Sequence, residues 1–386
     1  MRKFRHLTFI MALRPTPMIL LACLLCLCVG MGLASADDRP GTRALGEVMG
    51  DAMDPKRDAP VAGLSVNLFD ISDTPLDSAT TDAEGKFAFA NLDEGDYYLV
   101  VNDLNYHYLK LHFSIDSDAL IQLPPVWCVP EPLILKGDTR GSVIDVLSGD
   151  HLDAVDMEFR RGIDPPDTEP VVFTTQTSGG MGNYYYDALD LDAGVYTVSA
   201  SKAGYRDGYF HIYILGGEHI EPQNGVLSPI MEGDDMRIVL TWGIIPADLD
   251  SHLWPPDPFG AGKVHLYFDV LGSHPWGSYF NLDLDDQDQY GPETTTIHQW
   301  EPATYCFFIH DYTFQFLPVS LLLSYSGARV TVLTATDTHV FYVTPNSIGT
   351  GWFVFTVDGA TKQVTPVNTY SWDPTPDIVG LECQFM

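Results

Sequence analysis

One pattern, met twice, limits what this chain can fold into. Thr81-Asp-Ala-Glu-Gly85-Lys-Phe87-Ala-Phe89 runs into Leu92-Asp-Glu-Gly95-Asp-Tyr97, and Gly182-Asn-Tyr184-Tyr-Tyr186 runs into Leu191-Asp-Ala-Gly194-Val-Tyr196-Thr-Val198. In each copy a glycine turn feeds a two-residue aromatic alternation, and an acidic glycine turn feeds a second alternating strand. Period-2 alternation around such turns makes half-buried antiparallel strands with the large residues on the core side. Glu301-Pro-Ala-Thr-Tyr305-Cys-Phe307 echoes the tyrosine without the glycine. Repetition on this scale predicts tandem β-sandwiches rather than one large enzyme domain.

The opening hairpins repeat as well. Gly46-Glu-Val48 and Leu64-Ser-Val66-Asn-Leu68 correspond to Gly141-Ser-Val143 and Val155-Asp-Met157-Glu-Phe159. Aligning Gly85 with Gly182 pairs Phe87 and Phe89 with Tyr184 and Tyr186 at an offset of 97, whereas Leu92 and Leu191 stand 99 apart. A two-residue loop insertion between them reconciles the two offsets at little cost. The expected organisation is an all-β chain with a signal peptide at 1–36, a first sandwich at 37–123 and a Pro-rich linker at 124–136. A second sandwich at 137–232, a larger C-terminal sandwich at 233–360 and a tail at 361–386 complete it. Strands of the last sandwich are expected at Met236–Trp242, Lys263–Val270, Thr304–Asp311, Ala328–Ala335, His339–Val343 and Gly351–Val357.

The N-terminal segment reads as an export signal. Arg2, Lys3, Arg5 and Arg14 form a basic leader, Met18 to Leu33 is almost wholly apolar, and Ala34-Ser35-Ala36 supplies the small residues of a cleavage site. The bulky Cys26 and Leu27 ahead of Cys28 are not what a lipid-attachment site calls for. No second long apolar run follows, so no transmembrane segment is expected in the mature chain, and the location implied is secreted or cell-surface. Cleavage after Ala36 moves the formal charge from −32 to −36, because four basic and no acidic residues leave. Such a chain repels nucleic acid and anionic membrane, whose recognition depends on clustered Lys and Arg. Hydrophobic residues at 45% and aromatics at 12% exclude disorder as the reason for the acidity. Mature Cys128, Cys306 and Cys383 are odd in number, so at least one thiol is free or joined to another molecule. The apolar neighbours of Cys306 suggest a small packed hydrophobe there.

Thr81 to Phe89, Leu92 to Tyr97 and Ala62-Gly63-Leu64-Ser65-Val66 resemble the carboxypeptidase-regulatory-like and collagen-binding B-type modules, which are prealbumin-like sandwiches. The resemblance covers roughly 42–115 and 137–215 and implies spacers, adhesin stalks or accessory domains. From Leu240-Thr-Trp242 and Asp248-Leu-Asp250-Ser-His252-Leu onward, the chain is similar to bacterial surface β-domains of unassigned function with an Asp-Leu-Asp motif. Leu282-Asp-Leu-Asp-Asp286, Tyr290-Gly-Pro-Glu293 and Gly327-Ala-Arg-Val330 extend that likeness over about 236–359.

Chemistry concentrates in that last unit. As a strand, Asp248-Leu-Asp250-Ser-His252 puts Asp248, Asp250 and His252 on one face. Asn281-Leu-Asp283-Leu-Asp285 does the same for its carboxylates, and two such strands side by side oppose like charges. Calcium, which takes six to eight oxygen ligands, would neutralise them, with Asp286, Asp288 and Glu293 completing the shell. The competing expectation is a solvated acidic rim. Trp254 and Trp276, in Pro- and Gly-rich loops, are candidate stacking residues for a polysaccharide or a protein partner. No His-Glu-x-x-His, Gly-x-Ser-x-Gly or phosphate-cradling loop is present, so no enzyme is expected. The function predicted is structural or adhesive. The alternative is a protomer of an extracellular filament that self-associates through edge strands, and a divergent polysaccharide-active enzyme is a more distant one.

Overall fold

Each half of the repeat folds by the same connections. A computed structural model describes residues 46–371 apart from 58, 116–119, 132–135, 232, 271–273, 288, 318 and 345–346. The proposed signal peptide, Asp288 and Cys383 lie outside the described residues. The described secondary structure is β throughout save one short 3-10 turn at Phe268–Val270. Among the described residues no helix is long and apolar enough to cross a membrane.

In the first sandwich, Gly46–Asp54 pairs antiparallel with Lys86–Leu92 and parallel with Leu120–Gln122 and Val126–Trp127. The facing sheet runs Pro75–Thr80, Ser65–Asp70, Gly95–Val101, Leu109–Ile115. The second sandwich repeats this plan. Lys136–Gly141 pairs antiparallel with Asn183–Asp192 and parallel with His219–Ile220, and Val143–Asp145 pairs parallel with Gly225–Leu227. Its facing sheet runs Val171–Gln176, Asp156–Arg161, Gly194–Ser201, Gly208–Ile214.

Atomic details repeat with the topology. Leu64 N–H donates to buried Thr81 Oγ1 and Val155 N–H donates to buried Thr177 Oγ1, each at 2.9 Å. Tyr97 Oη donates to Asp93 O and Tyr196 Oη to Asp192 O, four residues back in both cases. This hydroxyl-to-backbone tie pins the turn before the strand. Tyr305 makes the corresponding tie in the echo, its Oη accepting from Glu301 N–H at 2.8 Å.

The register corrects the alignment read from sequence. Phe87 lies opposite Gly50 and Tyr186 opposite Gly141, so Phe87 matches Tyr186 and the offset is 99, as it is for Leu92 and Leu191. Phe89 then matches Ala188, both buried. Tyr184 belongs instead to a longer hairpin, where it faces Gly179. The glycines opposite the rings are spatial requirements: a Cβ on Gly50 would stand 2.3 Å from the Phe87 ring, and one on Gly141 would stand 1.9 Å from Gln223 O.

The stretch read as a linker is built into the first sandwich. Val126–Trp127 is one of its strands, and Cys128 and Val129 are buried in its core. Cys128 is a free thiol that burial pushes up to about 12, which leaves it unreactive. The two repeats are docked. Ile163, Ala193, Val195 and Leu215 of the second join the core of the first. Ile163 N–H donates to Lys110 O and His112 N–H to Ile163 O, both at 3.0 Å, and Trp127 meets Tyr213 edge to face.

The third sandwich stacks two sheets. One runs Phe280–Leu284, Glu293–Ile297, Met236–Thr241, Arg329–Leu333, Thr338–Tyr342, and the other Leu249–Trp254, Thr304–Asp311, Gly351–Asp358, Val364–Ser371. Val364–Ser371 was expected in the tail but is an edge strand, paired along Gly351–Asp358. Residues 263–270 do not form the expected strand. Leu266 makes an isolated bridge to Leu253, and the chain then enters the 3-10 turn. Cys306 is fully buried in an apolar cluster, as its neighbours suggested, and it is disulfide-bonded.

Candidate metal centre

Alternation aims the side chains of Leu249–Trp254 to two sides. Leu249 and Leu253 enter the core of the third sandwich, while Trp254 joins Cys306, Phe308 and Phe353 in a separate apolar cluster. The strand is an edge strand, yet all six of its residues are buried. It pairs with Thr304–Asp311 in a register that sets Asp250 opposite His310 and Leu249 opposite Asp311. Phe280–Leu284, expected beside it, lies in the other sheet.

Asp250 is the hinge of the constellation. One donor atom each from Asp250, Asp285 and Glu293 lie within 4.8 Å of one another, and so do one each from Asp250, His252 and His310. Asp250 and Glu293 are 3% and 1% exposed. Glu293 Oε1 accepts from Ser251 N–H at 2.7 Å and from Ser251 Oγ, which fixes the carboxylate and leaves Oε2 without a partner. Asp250 Oδ2, Asp285 Oδ1, Asp248 Oδ1 and Asp311 Oδ2 are likewise buried and unpartnered.

The electrostatics are those of anions crowded out of water. Burial, then Asp248 and Asp285, push the Asp250 carboxyl up to about 8. Burial, then Asp285 and Asp286, raise Asp248 to about 6. Asp311 is raised to about 7 by burial, against a hydrogen bond from Phe314 N–H. Glu293 is held well above the ordinary carboxylate range by burial and then by Asp250, against its bonds from Ser251. Burial lowers His310 to about 4 and puts His252 well below the usual imidazole range. A buried anion without a hydrogen bond or counter-charge is expensive, so a site built this way favours protons or a cation.

Of the ligands expected from sequence, Asp250, Asp285 and Glu293 converge, while Asp248 acts electrostatically on Asp250 and Asp286 on Asp248. Asp283 stands apart. A β-bulge between Leu282 and Leu284 breaks the alternation, so Asp283 accepts from Thr296 Oγ1 at 2.5 Å and faces Arg237. Arg237 is buried there and also binds Ser228 Oγ and Pro229 O of the second repeat. Asp283 therefore has a cation of the protein's own. Asp288 lies outside the described residues. Trp254 is in a strand, 4% exposed, with its ring stacked on His265 at 4.2 Å, so it presents no open face to a sugar. Trp276, half-buried in a turn, packs on Phe280 and His274.

The sequence reading passed over His310 and Asp311, which end a strand recognised only for its apolar run. Their alternation behind Phe308-Ile309 was the available signal. His265 was also missed. Its Nε2 lies 2.8 Å from His252 Nδ1.

The carboxypeptidase regulatory-like domain matches residues 47–119. No curated protein matches the chain. Among solved structures, a streptococcal ancillary pilin is 14% identical with a TM-score of 0.19, over 48% of this chain and 62% of that one. A minor pilin of Streptococcus agalactiae is 13% identical with a TM-score of 0.21, over 49% and 98%. The Bacillus anthracis TIE protein is 12% identical with a TM-score of 0.20, over 78% and 49%. The chain thus spans less than two thirds of the first and third of these.

Proposed function

We propose that this chain is an exported, non-enzymatic surface protein whose docked repeats carry a third sandwich that holds a divalent cation, calcium in the first instance. The observation that carries the reading is the set of unpartnered oxygens on Asp250, Asp285 and Glu293, two of the three residues being almost wholly buried. Calcium–oxygen bonds of about 2.3–2.6 Å put ligands on opposite sides of an ion about 4.6–5.2 Å apart. A separation of at most 4.8 Å suits that geometry. The basic leader and Ala34-Ser35-Ala36 support export, and the docked repeats supply a stalk of fixed geometry. A polysaccharide or protein partner would meet the segment after Asp311, where Phe316, Leu317 and Val319 are exposed, rather than Trp254. Thr313 Oγ1 accepts from Asp248 N–H at 2.9 Å and ties that segment to the cation cluster.

Self-association is the second reading. Val171–Gln176 is the edge strand of its sheet, with Val171 and Val172 exposed, and an unpaired edge of this kind is a template for another strand. Calorimetric titration tests the main reading. Calcium added to chelator-treated mature chain (residues 37–386) will give one saturable heat, and Glu293→Gln or Asp250→Asn will weaken it at least tenfold. Asp283→Asn will leave it unchanged. Equal binding by wild type and Glu293→Gln would defeat this assignment.

A further inference from the structure

We infer that Asp250, His252 and His310 form a second, nitrogen-donor pocket that takes a zinc-type divalent ion, with Asp250 shared between it and the oxygen set. The inference rests on the cation reading above only through that shared residue. Three observations carry it. His252 and His310 are 1% and 2% exposed, and the Nε2 atom of each is buried with no hydrogen-bond partner. Donor atoms of the two imidazoles and of Asp250 lie within 4.8 Å of one another, so a small inward movement brings them to the 2.0–2.2 Å that zinc requires. His252 Nδ1 meets His265 Nε2 at 2.8 Å. In the tautomer with the proton on His252 Nδ1, that contact fixes the ring and leaves the Nε2 lone pair free, the outer-shell arrangement of metal-bound histidines.

The surroundings hold the set in place. His265 is clamped between the rings of Trp254 and Tyr267, each 4.2 Å away and nearly parallel. Phe308 meets His252 edge to face. Two neutral imidazoles and one carboxylate are donors for zinc, iron, nickel or copper rather than calcium, which takes oxygen.

Cobalt(II) and zinc(II) titrations of the chelator-treated mature chain test this. Cobalt should give the visible spectrum of nitrogen ligation, and zinc should displace it stoichiometrically. His310→Gln should lower zinc affinity at least tenfold while calcium binding stays. Glu293→Gln should do the reverse, and Asp250→Asn should weaken both. His265→Phe, which keeps the stack and removes the acceptor, should weaken zinc by about 10–100-fold. Calcium binding without a nitrogen-type cobalt spectrum would overturn this inference and leave the oxygen site standing. Zinc binding without calcium would uphold it and remove the calcium assignment. Should His310→Gln fail to fold, the cobalt spectrum of the unsubstituted chain still decides, since an oxygen-only spectrum overturns the proposal.

Discussion

Freed of divalent ions, the protein will melt at a lower temperature at pH 8 than at pH 6.5, and calcium will reverse the slope. Asp250, Asp311 and Asp248 keep their protons in the folded chain up to about 8, 7 and 6, whereas they release them near 4 when unfolded. The folded state therefore binds more protons than the unfolded state as pH rises from 4 to 8. Stability from these groups is full below pH 4 and is lost as pH climbs through those values. His252 and His310 act in the opposite sense, since unfolding lets them protonate, but their contribution is complete above the ordinary imidazole value of 6.5. Lys263, lowered by burial to about 8, acts above this window. Between pH 6.5 and 8 the carboxylates thus set the sign.

An ion reverses it because its ligands must be deprotonated. At a free concentration a hundred times the dissociation constant, binding to the folded form alone stabilises by about 2.7 kcal/mol. For a unit of this size that is roughly 5–10 °C. Glu293→Gln should show the complementary behaviour: a higher melting temperature without metal at pH 8, because the amide is neutral without having to take up a proton, and little response to calcium. Scanning calorimetry at four pH values, with chelator and with calcium, checks both. A metal-free melting temperature that rises steadily from pH 6.5 to 8 would contradict the burial of these carboxylates.

Tyr196→Ala will cost roughly 3–5 kcal/mol, and Tyr196→Phe about 1 kcal/mol. The ring is fully buried among the core residues of the second sandwich, and its hydroxyl holds Asp192 O at the turn. Removing the ring opens a cavity and releases the turn, while removing the hydroxyl alone does only the second. Tyr97→Ala should lose a similar amount in the first sandwich. Urea denaturation followed by near-UV circular dichroism separates the two variants. Equal midpoints for the alanine and phenylalanine proteins would show that the ring is not a packing element.

The class of fold was legible because alternation and acidic glycine turns are local signals. The register was less so. A slip of two residues keeps every side chain on its own face, so Phe87 aligned on Tyr184 looked as sound as Phe87 aligned on Tyr186. The glycines opposite the rings, which come from a different strand, distinguish them. The site divided along the same line. Asp250 and Asp285 were visible as alternating carboxylates, but the bulge that turns Asp283 toward Arg237 depends on pairing with Glu293–Ile297. Trp254 was misread because Pro255-Pro256 suggested a loop, whereas the prolines only end the strand. His310 reaches Asp250 through cross-strand pairing between segments some sixty residues apart, which no local window contains.

Anomalous diffraction from crystals of the mature chain soaked in manganese, an oxygen-seeking stand-in for calcium, locates the cation itself. A peak at the manganese edge is expected within bonding distance of Asp250, Asp285 and Glu293, and it should be lost in crystals of Asp250→Asn. A map with no peak at these carboxylates, or with one only at Asp283, would contradict this assignment.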